Sequence, residues 1–458
     1  MKWLSQSLAR RVSGFGSNSV TDSYVLRPTS VGDIRAGLDA ARAGGLKVTL
    51  RGAGRSYGDP AIAREQVVLD FSDFNQILAW DPTTGIVTCQ GGVTLEQLWR
   101  HCLSDGWFLP VTSGTMFPTL AGALGMNIHG KNNFRAGTLG EHVLSLSVLL
   151  VSGETLVLTP ADELFYAFIS GAGLLGIIVE VSLQMHRVPT PMLAVEGRSA
   201  ESLEQHFSAF EAFAEEADYM VSWVDCFGRG RGLFHWARYL SARGGEAPPS
   251  LDLPTRILGL IPKSQVWRIL KLLNNRSGMR LLNAAKHYSA KLTDNGKPKN
   301  QTLIQFSYLL DYVPGWQKSY AHGFHQFQVF VPAAHALPTF RALLAMQQDA
   351  KLESFLGVMK RHRADRFLLS HAVDGYSLAM DFRITPKNRE QLNDLLSEMA
   401  ELVIANGGRF YLAKDSVLTA DQYARAIGPE KLAEFKRLRA TLDPEGLLTS
   451  EMAKRLGL

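Results

Sequence analysis

Arg51-Gly-Ala-Gly-Arg-Ser-Tyr-Gly-Asp59 and, further on, Thr119-Leu-Ala-Gly-Ala-Leu-Gly125 running into Met126-Asn-Ile-His-Gly-Lys131 decide how this chain is read. In the first run Gly52, Gly54 and Gly58 follow a short strand over residues 47–50. Glycines at that density let the backbone turn sharply and bring bare N–H groups against an anion. Arg51 and Arg55 add positive charge suited to a pyrophosphate. Taken alone, such a loop is also compatible with a plain tight turn. The second run is small and apolar, so a flat ring or another stretch of backbone can pack closely on it. It leads into a polar cluster (Asn127, His129, Lys131) with no obvious structural need. A third small-residue run, Ser170-Gly-Ala-Gly-Leu-Leu-Gly-Ile-Ile178, has the same texture.

Composition narrows the class. At 458 residues the chain has room for two or three domains, and 46% hydrophobic with 20% charged residues is ordinary for a globular protein. The net charge of +5 favours an anionic substrate or a membrane surface and is too mild to argue for nucleic acid. Three cysteines, Cys89, Cys102 and Cys226, are odd in number and widely spaced, which speaks against a disulfide framework or a zinc site; buried, reduced thiols are expected. No His, Cys or carboxylate spacing suggests metal ligands. No apolar run reaches membrane-spanning length, and no secretory signal is evident at the N-terminus, so a cytoplasmic location is expected.

Along the chain, residues 31–43 read as a helix with Ser30 as N-cap and Gly44-Gly45 as its end. Residues 67–71, 86–90, 144–151, 154–158 and 176–185 read as strands. Pro189-Thr-Pro191 interrupts the pattern and marks a boundary. Three parts are expected: residues 1–190 as the first portion of an α+β cofactor domain, 191–409 as an inserted α+β cap, and 410–458 returning to the first domain. Within the cap, residues 305–310 and 326–331 read as strands. Residues 409–415 read as a short strand ending in Lys414-Asp415, and 429–442 as a charged helix. Residues 253–293 contain eight Lys or Arg and no Asp or Glu, with Val266, Ile269, Leu270 and Leu273 at helical spacing beside Trp267. Such a stretch fits either an anionic lipid surface or a solvated helix face with a loop.

The three glycine-rich runs resemble the FAD-binding fold of the vanillyl-alcohol-oxidase, or PCMH, type. They do not follow the Rossmann pattern, because no apolar helix opens after the first loop and no acidic residue stands at the ribose distance. Together with Phe410-Tyr-Leu-Ala-Lys-Asp-Ser416 and Ser450-Glu-Met-Ala-Lys-Arg-Leu456, they are similar to the decaprenylphosphoryl-β-D-ribose 2′-oxidase family. The similarity is strong over 45–190 and 400–458, patchy across the cap, and nearly absent over 191–300. The resemblance implies a PCMH-type FAD domain with an inserted substrate domain. It implies oxidation of the 2′-hydroxyl of a polyprenylphosphoryl ribose, with a short-chain reductase completing an epimerisation to the arabinose donor. FAD would lie along Arg51, Gly52, Ala53, Gly54, Arg55, Ser56, Tyr57, Gly58, Gly114, Thr119, Leu120, Ala121, Gly122, Met126, Asn127, Ile128, His129, Ile178 and Tyr411. The substrate would meet Lys131, Trp223, Gln326, Gln328, Lys360, Asp381 and Lys414. Many relatives of this fold link FAD through a histidine in the first loop; the corresponding position here is Arg55, so FAD is expected to be non-covalent. Ser377 and Ala379 stand where the family often has Asn and Cys, which puts the fine shape of the sugar pocket in question.

An alcohol oxidation needs a hydride acceptor, a base for the hydroxyl proton, and a sugar held over the acceptor. Lys414, His129 and Tyr57 are the catalytic candidates. Lys414 would polarise the hydroxyl or stabilise negative charge on the flavin. His129 would sit beside the ring or simply bond loop backbone. Tyr57 would orient the flavin or pack on it, and Lys360, in Lys360-Arg-His-Arg363, would touch substrate or belong to a basic surface. Two other readings stand beside this one: a soluble sugar or aldonolactone oxidoreductase of the same fold, and a non-enzymatic flavin-binding subunit of a partner. Peripheral contact with the inner membrane through 253–293 goes with the first reading only.

Overall fold

The computed structural model describes residues 9–241, 250–257 and 261–458. Three sheets organise the chain. The first holds β1 (Ala9–Ser13), β2 (Val20–Leu26), β3 (Val48–Arg51) and β4 (Val67–Asp70) in the order β1-β2-β4-β3, with β4 parallel to both β2 and β3. Parallel pairing needs a crossover, and α1 (Val31–Ala43) supplies it. Ser30 and Asp33 cap α1 reciprocally, and Ile34, Leu38 and Ala41 turn its apolar face onto Val67 and Leu69 in a shared core. The chain's last residues close this sheet. Val48 donates to Leu447 O at 2.8 Å and Thr449 to Val48 O at 2.8 Å, so the free edge of β3 is paired.

The second sheet is antiparallel, β5 (Ile77–Asp81), β6 (Ile86–Gln90), β7 (Val143–Leu149), β8 (Thr155–Leu158) and β9 (Ile177–Gln184), in the order β5-β6-β9-β7-β8. The third has eight antiparallel strands: β10 (Met192–Ala200), β11 (Tyr219–Val224), β12 (Gly232–Tyr239), β13 (Pro298–Thr302), β14 (Phe324–Pro332), β15 (Gly357–His362), β16 (Gly375–Arg383) and β17 (Arg409–Phe410). Their order is β13-β10-β12-β11-β15-β16-β14-β17. Mixed helix and separate sheets make this an α+β protein. The α2 helix (Leu120–Gly125) is short and capped by Thr119, whose hydroxyl accepts from Gly122 N.

The basic stretch folds as two helices, α3 (Val266–Leu273) and α4 (Arg276–Thr293), with Asn275 capping the second. Two expectations in the cap and beyond it need correction. Residues 305–310 are not a strand: α5 (Leu303–Ser307) forms because Thr302 and Gln305 make a reciprocal capping box, a helix start hidden in an apolar run. The strand expected up to Lys414-Asp415 stops at Phe410. Beyond it Lys414 N and Asp415 N both bond Tyr411 O, so the segment is a turn. The 429–442 helix is present over its expected length. Cys89, Cys102 and Cys226 are free and buried. No described helix is long and apolar enough to cross a membrane.

Candidate active site

A cavity of about 480 Å³ lies between the glycine-rich runs and one face of the third sheet. Its volume falls within the range of small-molecule sites. One wall is nearly bare backbone. A side chain at Gly52 would begin 2.1 Å from Thr119 Oγ1, and one at Gly91 would begin 2.5 Å from Ile178 O. Gly54 has φ +63°, and a Cβ there would meet the Arg51 guanidinium at 2.1 Å. The runs lock together through main-chain bonds: Ala121 N to Gly91 O at 2.8 Å, Ala172 N to Gly125 O and Ser170 N to Leu124 O at 2.9 Å. Ser170 and Ala172 adopt left-handed backbone to make this fit. Arg55 places its guanidinium 4.9 Å from the Phe117 ring centre and 5.6 Å from that of Phe15, and its buried Nε has no hydrogen-bond partner among the described residues.

No Asp or Glu lines the cavity, whereas Arg51, Arg55, Lys131, Lys286, Lys360 and Lys414 do. A backbone cradle of this kind, with two arginines and an unpartnered guanidinium nitrogen, fits the flat ring and pyrophosphate of FAD. Among the residues expected against the cofactor, Gly58, Leu120 and Asn127 do not reach the cavity, and the others do. Gly58 instead closes on the C-terminal turn, where a Cβ would lie 2.0 Å from Asp415 O. Leu120 is fully buried in the core. Asn127, at φ +44°, is a fastener: its amide donates to Thr138 Oγ1 and Asp365 Oδ2, and its oxygen accepts from Gly140 N.

The other wall is side chains. Lys131, Trp223, Gln326, Gln328, Lys360 and Lys414 line the cavity as expected, but Asp381 stands behind Gln326, whose amide donates to it. The Lys414 ammonium lies 3.3 Å from the centre of the Tyr57 ring. Burial pushes Lys414 well below the ordinary lysine range; the negative charge of Asp381 opposes this and Lys360 adds to it. Burial likewise raises the carboxyl of Asp381. Lys360 is pushed down to about 8 by burial. It belongs to the cavity and not to a basic surface patch. Tyr57, wholly enclosed and edge-on to Phe324, has its phenol held protonated by burial.

His129 sits in a cluster with His362, His371, Phe330 and Tyr411, their ring centres 4.9 to 5.4 Å away. The Gln328 amide nitrogen faces His129 Nε2 at 2.9 Å, so Nε2 accepts and Nδ1 carries the proton. That Nδ1 is buried without a protein partner. Burial first, then the nearby cations Lys360 and Lys414 and the other histidines, keep His129 neutral. Its ring is therefore a neutral imidazole and not a protonated acid.

The chain's end braces this site. Arg455 donates twice to Asp59 (2.8 and 2.9 Å) in the first loop and once to Asp415 (2.7 Å) beside Lys414. Tyr57 N bonds Ala413 O at 2.7 Å. These contacts fix the turn that presents Lys414 against the glycine loop. Sequence reasoning missed Gly91, His235, Lys286 and the Leu309-Leu310 edge, all of which line the cavity. The Gly91-Gly92 doublet directly after β6 was the one available signal. Among the described residues no group of His, Cys, Asp or Glu is placed to hold a metal ion.

Comparison with known proteins agrees with an FAD-binding domain in the first part of the chain. A family model for FAD-binding domains matches residues 23–159, and one for D-arabinono-1,4-lactone oxidase matches 288–456. The chain is 33% identical to decaprenylphosphoryl-β-D-ribose oxidase of Mycolicibacterium smegmatis, over 98% of both chains. It is 33% identical to a putative D-arabinono-1,4-lactone oxidase of Neurospora crassa over 36% of this chain and 30% of the other. With L-gulonolactone oxidase of Mus musculus the identity is 26%, over 41% and 43%.

Proposed function

The chain belongs to the decaprenylphosphoryl-β-D-ribose oxidase family and is an FAD-dependent oxidoreductase, and from that premise we propose that it oxidises the 2′-hydroxyl of a polyprenylphosphoryl ribose to the ketone. The observation that carries the reading is a cavity bounded by a backbone cradle at one end and lined by four lysines without a carboxylate. Bound FAD, without a covalent link, supplies the two-electron acceptor for the hydride. Lys414, uncharged in part because it is buried, accepts the hydroxyl proton as the C–H bond breaks. Asp381 behind Gln326 opposes the loss of charge on Lys414 and keeps its amine within working range. His129 Nδ1–H and the Gln326 amide hold the sugar's oxygens, and Tyr57 fixes the Lys414 amine by lying against it.

The ketone is half of an epimerisation, so a separate reductase of the short-chain type would have to take it up. The α3–α4 pair supports docking on an anionic lipid surface. None of the eight residues of α3 is buried. Five of the eleven large hydrophobics standing exposed among the described residues, Ile269, Leu272, Leu281, Tyr288 and Leu292, are on these two helices. Arg268, Lys271 and Arg280 stand exposed among them, while Arg276 and Lys291 are occupied by Glu353 and Glu201. Apolar side chains ringed by cations fit the boundary of an anionic bilayer.

The lactone-oxidase relatives favour a second reading, turnover of a free aldonolactone. Anaerobic mixing of the yellow protein with each compound separates the two. Bleaching of the flavin band by prenylphosphoryl ribose but not by arabinonolactone supports the proposal. Bleaching by the lactone alone would replace it, and bleaching by neither would sink both.

A further inference from the structure

The cavity has a second polar end. Lys286 extends from α4 to lie 4.2 Å from the centre of the Trp223 ring, and both line the cavity. The register of the third sheet fixes where this end is. On the cavity face, Trp223 of β11 stands opposite Val358 of β15, Val358 opposite Ala379 of β16, and Ala379 opposite Gln328 of β14. Gln328 is the residue that bonds His129. Three strand spacings of about 4.8 Å put Trp223 roughly 14 Å from Gln328. That span is longer than one sugar ring, so a ring held near Lys414 and His129 leaves the Trp223 end free for another group.

Charge says what that group is. Lys131 spends its ammonium on the carbonyls of Phe306 and Ser307. The Lys286 ammonium has no hydrogen-bond or ion-pair partner among the described residues, only the Trp223 face. Its side chain is exposed and forms part of the cavity lining, so the ammonium is open to a ligand, and the protein around it lowers its pKa to about 8. His235, on the same lining, is kept low by burial first and then by the positive charges of Lys286 and Lys131, with Asp294 opposing. Among the described residues no carboxylate stands on the lining, so an anion seated beside Lys286 would meet no like charge on the cavity wall.

We infer that Lys286, beside Trp223 and His235, seats the phosphoryl anion of the substrate, so that the cavity takes a phosphoryl-linked sugar with its ring toward Lys414. This rests on the oxidation reading above and adds the subsite that selects the substrate. The helix bearing Lys286 also explains how a lipid tail leaves. At 100° per residue, Leu281, Tyr288 and Leu292 share one exposed face of α4, and Lys286 lies about 140° around from it. A phosphate at Lys286 is therefore about one helix diameter, roughly 10 Å, from the apolar face proposed to meet the bilayer.

The test is calorimetric binding of farnesyl phosphate and of inorganic phosphate to the FAD-loaded protein, as wild type, Lys286→Gln and Lys286→Arg. Farnesyl phosphate should bind the wild type, weaken about tenfold or more in Lys286→Gln, and recover in Lys286→Arg. In turnover of a short-chain prenylphosphoryl ribose the same loss should fall on KM with little on kcat. Equal binding by wild type and Lys286→Gln, or a loss confined to kcat, would overturn the assignment. Inorganic phosphate binding as tightly as farnesyl phosphate would also overturn it, since the site would then be one for free anions. If farnesyl phosphate needs Lys286 but prenylphosphoryl ribose never bleaches the flavin, the anion seat stands and the oxidation reading falls.

Discussion

At one end of the cavity the wall is backbone, made of Gly52, Gly54, Gly91 and the Ser170–Ala172 turn pressed into contact; at the other it is side chains carried by β11, β12, β14, β15 and β16, with Lys286 added from a helix. The two are held to different standards. A backbone wall tolerates no added atom, because Gly52 has Thr119 Oγ1 where its Cβ would be. A side-chain wall can exchange its residues and still fold, so it is where one fold can take phosphoryl ribose in one relative and a free lactone in another. On the proposed reading, the cofactor is held at the first end and the substrate is chosen at the second.

The most damaging change to the backbone end is Gly52→Val. Its branched side chain collides with Thr119, which also caps α2, so the purified protein should be colourless, with flavin absorbance at 450 nm (roughly the flavin maximum) lost. A yellow Gly52→Val protein would break the comparison. At the other end, Lys414→Met should leave FAD in place and lower kcat by about 10²–10⁴, the range for a lost general base. The pH profile sharpens this. Because burial lowers the Lys414 pKa, its uncharged amine appears at lower pH than an ordinary lysine's, and kcat should rise with pH through that lowered value. Lys414→Arg, which stays charged, should remove the rising limb.

Asn127→Ala tests a residue that belongs to the wall's frame and not its lining. It should cost about 1–3 kcal/mol of stability, read from denaturant unfolding, through stranded partners at Thr138, Asp365 and Gly140, while the protein stays yellow. Loss of colour without loss of stability would return Asn127 to the cofactor. The smallest effect is expected outside the cavity. Leu272→Asp with Leu292→Asp should weaken sedimentation with phosphatidylglycerol vesicles by about tenfold, and added salt should weaken the wild type in the same direction.

The contrast between the two walls also governs how much the sequence could tell. The cradle was legible because backbone approach needs glycine, and glycine is visible as a letter: Gly52, Gly54 and the runs at 119–125 and 170–178 named it. Helix α1 was legible from Ser30 and Gly44-Gly45. The side-chain wall was legible only where a resemblance carried it. Lys286 lies in a stretch read as a surface, and nothing local distinguishes it from the other basic residues there; its role depends on α4 packing over β10 and β12, which brings it to Trp223. Asp381 was expected in the pocket, but the strand alternation that puts Ser377 and Ala379 on the cavity face gives Asp381 the same face, and Gln326 then covers it. Asn127 was grouped with His129 because both are polar and adjacent. Its left-handed backbone, set by the turn after α2, directs it into the frame. Residues 305–310 misled because an apolar run does not reveal its period when a cap sits just before it.

The central claim, that a phosphoryl-linked ribose lies across the sheet with its C2–H at the flavin and its hydroxyl at Lys414, is tested most directly by anaerobic stopped-flow with short-chain prenylphosphoryl ribose carrying deuterium at C2. Bleaching of the flavin band should slow several-fold with C2 deuterium, and deuterium at C3 should leave it unaltered. Equal rates for C2-labelled and unlabelled sugar, or slowing by the C3 label alone, would contradict the account.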